Sequence, residues 1–193
     1  AAYPETRYFS DDPAIVYENL PDKLDKVFSA EPCHSAQSWQ WDGVHFEVIH
    51  TAITNDLDFE SSNNSSCVLK ISTGDYSALL TGDIERNVEI RLRNSDPSIL
   101  KANILIVPHH GSNTSSTAGF LATVKPEYAV YSTGYLNRFN HPHQDVINRY
   151  KAENILTFNT AELGAIKFKV SGSVGIQTIE NHRQIRNRYW SSL

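Results

Sequence analysis

The sequence predicts an α/β fold, and three observations carry that expectation. Residues 39–50 alternate apolar and polar side chains with the two-residue period of a strand, and two further strand-like runs follow over 67–82. From Ile84 the apolar spacing widens to that of a helix. Beyond it, short β-branched runs and amphipathic stretches take turns, the pattern of strands joined by helical crossovers. At 193 residues, 40% hydrophobic and 20% charged, the chain suits one globular domain with a full-sized core.

The elements follow in order. Residues 13–29 read as helical, with Asp11 or Asp12 as cap, Pro13 in the first turn and Pro21 dividing the stretch into two pieces. "WQWDGVHFEVIH", Trp39 to His50, reads as a hairpin turning at Asp42-Gly43. Leu57 to Ser66 is a polar loop. "CVLKIST", Cys67 to Thr73, and "YSALLTG", Tyr76 to Gly82, are strands joined by Gly74-Asp75, which makes the opening a β meander. Ile84, Val88 and Leu92 mark a helix, with Asp83 at the N-cap position. "NILIVP", Asn103 to Pro108, is a buried strand by its continuous β-branched run. Then come a short helix "AGFLATV" ended by Pro126, a strand "EYAVYS", a helix "HQDVINRYK" and a strand "NILTF". "GAIKFKV" and "GIQTI" close the chain as a hairpin. No repeat or low-complexity linker interrupts the series. The expectation is one domain over 1–193, with its core at about 31–180 and a basic tail at 181–193.

No apolar run approaches the roughly 18 residues that span a bilayer, and no signal-peptide pattern is present. The chain opens Ala1-Ala2 and contains no methionine, which reads as a processed or excised piece of a longer polypeptide. Net charge is −5, so a broad basic face is not expected. The tail "HRQIRNRYW", His182 to Trp190, carries Arg183, Arg186 and Arg188 without an acid. It reads as a solvated terminus, or as a contact for nucleic acid or lipid headgroups. Cys33 and Cys67 lack C-x-x-C spacing and are no zinc knuckle. They are two buried thiols or one disulfide. A disulfide between the start of the tryptophan hairpin and the next strand would point to an extracytoplasmic setting.

Three polar points follow apolar strands. Asp83 follows "SALLTG", His109 and His110 follow "NILIVP", and His141 with His143 lies a little beyond "YAVYSTG". Strand tips on one edge of an α/β sheet are where ligand sites gather. One aspartate and several imidazoles suit a borderline divalent metal such as zinc or manganese. Such a centre activates water for attack on phosphorus. Taken singly, each point has a plainer reading: Asp83 as a helix cap, His109-His110 as an exposed turn, His141-Pro142-His143 as a helix start. "HPHQDV", His141 to Val146, spells the first five positions of an HxHxDH signature. Its sixth is Val146, which cannot ligate, and it falls after the aspartate strand rather than before it.

Five segments together resemble the ComEC family, bacterial competence proteins that move transforming DNA across the inner membrane. They are "CHSAQSWQWDGVHFEVIH", "NNSSCVLKI", "LLTGDIERNVEIRL", "ILIVPHHGSNTSST" and "KPEYAVYSTGYLNRFNHP", in the expected order over residues 31–170. They match the C-terminal metallo-β-lactamase-like domain of that family, with Thr51 as a departure, since proline usually follows the histidine there. The resemblance implies an αββα sandwich, here partial, lacking the N-terminal strands and the first metal-ligand loop of HxHxDH type. It implies a divalent-metal-dependent nuclease, zinc or manganese, degrading the strand that is not taken up. Asp83 matches a bridging metal ligand, and His109, His110 and His141 match further ligands or proton donors. The remaining family ligands come from an Asp/His-rich loop that this chain does not carry, so the chain alone is expected to bind metal weakly and to be inactive. The implied partners are single-stranded DNA and a membrane channel domain of the same polypeptide. The implied place is a soluble, periplasmic domain of an inner-membrane protein. Two other functions remain open: a non-catalytic module that binds DNA or a partner, and a small-molecule hydrolase of the same superfold.

Overall fold

The computed structural model describes residues 33–51, 62–171 and 174–185. The helix expected over 13–29, and Arg186 and Arg188 of the tail, lie outside the described residues. The alternating stretches form β1 (Ser38–Trp41), β2 (Val44–His50), β3 (Val68–Thr73) and β4 (Tyr76–Leu80), each antiparallel to the next. The sheet then turns parallel through β5 (Ile104–Ile106), β6 (Tyr128–Tyr131) and β7 (Leu156–Asn159), giving seven strands in the order β1 to β7. The parallel steps are crossed by α1 (Arg86–Ser95), α2 (Ala118–Val124) and α3 (Gln144–Ala152). A short helix, α4 (Thr160–Leu163), leads to a separate hairpin of β8 (Ile166–Ser171) and β9 (Gly175–Asn181), with α5 (His182–Ile185) after it.

Leu79, Leu105 and Ala129 stand in register across β4, β5 and β6 and are fully buried. They share one core with Val88 and Leu92 of α1, Phe120, Leu121 and Val124 of α2, and Val146 and Tyr150 of α3. The core therefore lies between the sheet and the crossover helices, which is what the 3.6-residue spacing of those helices requires. Tyr128 and Phe158 belong to the other face, where Phe168 of β8 meets them at 5.8 and 5.9 Å between ring centres. The fold is mixed α/β with a central sheet, as the sequence predicts. Among the described residues the second sheet is the two-stranded hairpin.

Some boundaries differ from expectation. Helix α1 starts at Arg86 with Glu85 in the cap position, so Asp83 is not its N-cap. The amides before α1 are held instead from a 3-10 turn, Ser62–Ser65, and the residue after it. Asp83 N–H donates to Ser66 Oγ and Glu85 N–H to Asn64 Oδ1, both at 2.9 Å. The strand expected over Asn154–Phe158 begins two residues later and runs one residue further. The short α4 after it was not anticipated, and Asn159 caps it by accepting from Ala161 N–H.

A histidine and carboxylate cluster at the strand tips

Parallel strands β4 and β5 end on the same edge of the sheet, so the residues after them are neighbours. The two tips are stitched together: Thr81 Oγ1 donates to Ile106 O at 2.8 Å, and His109 N–H donates to Gly82 O at 3.0 Å. Gly82 has φ +56°, and a Cβ there would come within 2.6 Å of Ser66 Cβ, so the turn into Asp83 needs glycine. After β5 the chain takes three successive left-handed residues, His109 (φ 49°), His110 (φ 56°) and Gly111 (φ 84°). Left-handed backbone is uncommon for residues other than glycine. Here it throws the two imidazoles in different directions.

His110 turns toward the aspartate. Its Nδ1 meets the Ser132 carbonyl at 2.6 Å, and its Nε2 lies 3.4 Å from Asp83 Oδ1. A carbonyl only accepts, so Nδ1 carries the proton and Nε2 is the nitrogen that faces the Asp83 carboxylate. Backbone fixing of one ring nitrogen to aim the other is the usual arrangement of a metal-binding histidine. Two donors on a tetrahedral ion at about 2.0–2.2 Å stand roughly 3.3–3.5 Å apart, so this pair spans one edge of such a site.

His109 turns the other way. Its Nδ1 lies 3.2 Å from Thr114 Oγ1 and 3.5 Å from Glu85 Oε1, and its Nε2 is 3.5 Å from Asn63 Nδ2. Glu85 Oε1 also accepts from Thr114 Oγ1 at 3.1 Å.

His141 closes the group. Asn137 clamps its backbone, accepting from His141 N–H at 2.9 Å and donating to His141 O at 2.7 Å. The imidazole meets the His109 ring edge-on at 6.0 Å and lies nearly parallel to Phe139 at 5.8 Å. Its Nδ1 is buried and makes no hydrogen bond. Burial, with the neighbouring His109, His110 and His143 adding to it and Asp83 opposing, holds the His141 pKa below its ordinary value. His110 and His141 open onto a cavity of about 210 Å³ shared with Ser132, Thr133, Asn137 and Phe139.

The four residues picked from the sequence thus share one edge, but not one point. His110 faces Asp83 and His109 faces Glu85, while His141 meets the His109 ring and shares a cavity with His110. His143 is an N-cap for α3, its Nδ1 accepting from Asp145 N–H at 3.4 Å, which bears out the plainer reading of that histidine. Among the described residues no group of three His, Cys, Asp or Glu side chains could hold a metal ion. The donors are of the right kind, and the Nδ1 of His141 without a partner is suggestive, yet this set does not by itself fit a resident divalent metal. Sequence reasoning missed Glu85, Asn63 and Ser132. Glu85 had a signal, being an acid two residues past Asp83 across a turn. Asn63 sat unmarked in a polar loop, and Ser132 acts through its carbonyl.

Side chains from α1 and α3 hold the backbone of the loop that follows the histidine pair. Fully buried Glu89 of α1 accepts from Ser116 N–H and from Thr117 N–H, the latter at 2.8 Å. Arg149 of α3 donates to Ser115 O and Ser116 O at 2.8 and 2.9 Å and to Asn113 Oδ1 at 2.7 Å. Cys33 and Cys67 form a disulfide with Cα atoms 6.4 Å apart.

The chain is 39% identical to competence protein ComA of Neisseria gonorrhoeae over 155 residues, 80% of this chain and 21% of that protein. It is 40% identical to ComE operon protein 3 of Bacillus subtilis over 118 residues, 61% of this chain and 15% of that protein. The chain is homologous to a segment of the ComEC-family competence proteins. It spans about a fifth or less of the length of these ComEC relatives. No family model matches it. Among solved structures, the metallo-β-lactamase fold protein YhfI of Bacillus subtilis is similar at a TM-score of 0.46 and 11% identity, covering 80% of this chain and 62% of that one.

Proposed function

We propose that this chain is the phosphate-handling part of a nuclease-type phosphodiesterase domain in a competence protein. In this reading it works on single-stranded DNA and degrades the strand that is not transported, beside a membrane channel domain of the same polypeptide. One observation carries the proposal: His110, aimed by the Ser132 carbonyl, faces Asp83 at the tips of two adjacent parallel strands, with His141 beside it. A His held below its ordinary pKa is neutral near pH 7 and is suited to accept or relay a proton. Zinc or manganese in the intact domain would need donors beyond those described. The metallo-β-lactamase-like αββα sandwich belongs to the same reading. The Cys33–Cys67 disulfide supports an oxidising, periplasmic location. No helix among the described residues is long and apolar enough to cross a membrane.

A second reading, a non-catalytic module that binds DNA, is favoured by the absence of a three-donor group among the described residues. A paired assay on single-stranded DNA separates the two. This chain alone is compared with the chain extended N-terminally by an Asp/His-rich loop, each with and without Asp83→Ala, in manganese or zinc. Cleavage by the extended form only, lost with Asp83→Ala, is the expected result. Cleavage by the chain alone, lost with Asp83→Ala, would show that the described donors suffice. No cleavage by the extended form would leave the binding module.

A further inference from the structure

We propose that the cavity between His110 and Phe139 is a subsite for one unpaired nucleobase of a single DNA strand. The position of the phosphate at the histidine cluster rests on the phosphodiesterase reading above; the binding of the base does not. The loop from Thr133 to Asn140 joins β6 to α3 and exposes three large apolar side chains. Tyr135 is 55% exposed, Leu136 83% and Phe139 62%. None of them belongs to the hydrophobic core. The same loop carries Arg138 and no acid, in a chain of net charge −5. The Arg138 guanidinium lies 4.7 Å from the Phe139 ring centre. Aromatic rings and arginine planes on one exposed loop are how proteins stack unpaired bases while neutralising the backbone beside them.

The loop is shaped rather than loose. Leu136 and Asn140 are left-handed at φ 52° and 54°, and Asn137 ties the loop to His141 with two hydrogen bonds. That clamp places Phe139 against His141, so a base lying on Phe139 leaves its own phosphate at the histidines. The cavity wall is mainly apolar, which suits the face of a base, and its Ser132, Thr133 and Asn137 polar groups are held by partners within the protein. A duplex keeps its bases stacked inside, so such a subsite accepts single strands and discriminates against double ones.

The test is binding without cleavage. A fluorescently labelled pentathymidylate and a charge-matched abasic pentamer are titrated with the chain in EDTA and read by anisotropy. Stacking of one base predicts about 5- to 150-fold tighter binding of the pentathymidylate. Phe139→Ala removes that preference, and Phe139→Trp, which keeps a stacking face, retains it. Because Phe139 is mostly exposed, circular dichroism of both variants should match the parent. Equal or absent binding of the two pentamers by the parent, or a preference that survives Phe139→Ala, overturns the proposal. A base preference in this chain together with no cleavage by the extended form of the paired assay would instead count against the phosphodiesterase reading alone.

Discussion

Replacing Glu89 with alanine should cost the fold about 3 kcal/mol. The carboxylate is fully buried and accepts the N–H groups of Ser116 and Thr117 at the start of α2. Each buried donor left without a partner costs about 1–3 kcal/mol. The lost side chain also leaves a void, and Arg149 loses a nearby opposite charge. With a urea slope of about 2 kcal/mol per molar, the unfolding midpoint should fall by roughly 1.5 M. Glu89→Gln keeps the shape and separates charge from volume. Burial, the largest influence, raises the Glu89 pKa above its ordinary value, against the opposing hydrogen bonds of Thr117 and Ser116 and the charge of Arg149. The folded state then holds this proton more tightly than the unfolded one. The contribution of Glu89 is therefore fully present below the ordinary carboxylate range and falls as pH rises toward the raised folded value. Urea melts of the parent and Glu89→Gln from pH 4 to 8 should show the difference between them shrink with rising pH, independently of His50 and His141, which both proteins share. A midpoint in Glu89→Ala within about 0.3 M of the parent would refute the reasoning.

Three further outcomes are expected. Gly111→Ala should destabilise by about 1–3 kcal/mol in thermal melts, since φ is +84° and a Cβ would meet Pro142 Cβ at 2.7 Å. Thiol titration of denatured, unreduced protein should find no free thiol at Cys33 or Cys67; reduction should cost roughly 3–4 kcal/mol, given a sequence separation of 34. In an NMR pH titration, His141 should titrate below the ordinary histidine value of 6.5, burial being the main cause, and its contribution to stability should be lost as pH falls through that lowered value. A His141 titration at or above 6.5 would contradict the burial seen here.

The sheet was legible because its pattern is local. Alternation named β1 to β4, and the helix "AGFLATV" was read to the residue. The start of α1 was misplaced because Asp83 looks like a cap, while the groups that hold the amides there come from Asn64 and Ser66, about twenty residues earlier. Such capping from a distance leaves no periodic trace. The edge that carries the site was legible too, since polar residues following apolar strands mark strand tips. Which histidine faces Asp83 was not. That choice depends on the backbone hand of His109 and His110 and on a carbonyl of Ser132, and neither is written in side-chain type.

The same backbone hand explains why so much buried polarity surrounds this loop. Consecutive left-handed residues at His109 and His110 cost about 1–3 kcal/mol each unless the surroundings over-determine them. Here they do. Gly82 O receives His109 N–H from one side, and Gly111 O receives His143 N–H at 2.9 Å from the other. Downstream, Ser115 Oγ returns to Pro108 O at 2.9 Å, while Glu89 takes the amides and Arg149 the carbonyls of the segment that follows. A turn needed only to join β5 to α2 would relax to an ordinary conformation and require none of this. A split histidine pair, with one ring on Asp83 and the other on Glu85, is what the strained conformation produces and a relaxed one would not. Buried Glu89 and the His109–His110 pair are therefore two ends of one arrangement, and weakening Glu89 should loosen the aim of His110 before it unfolds the sheet.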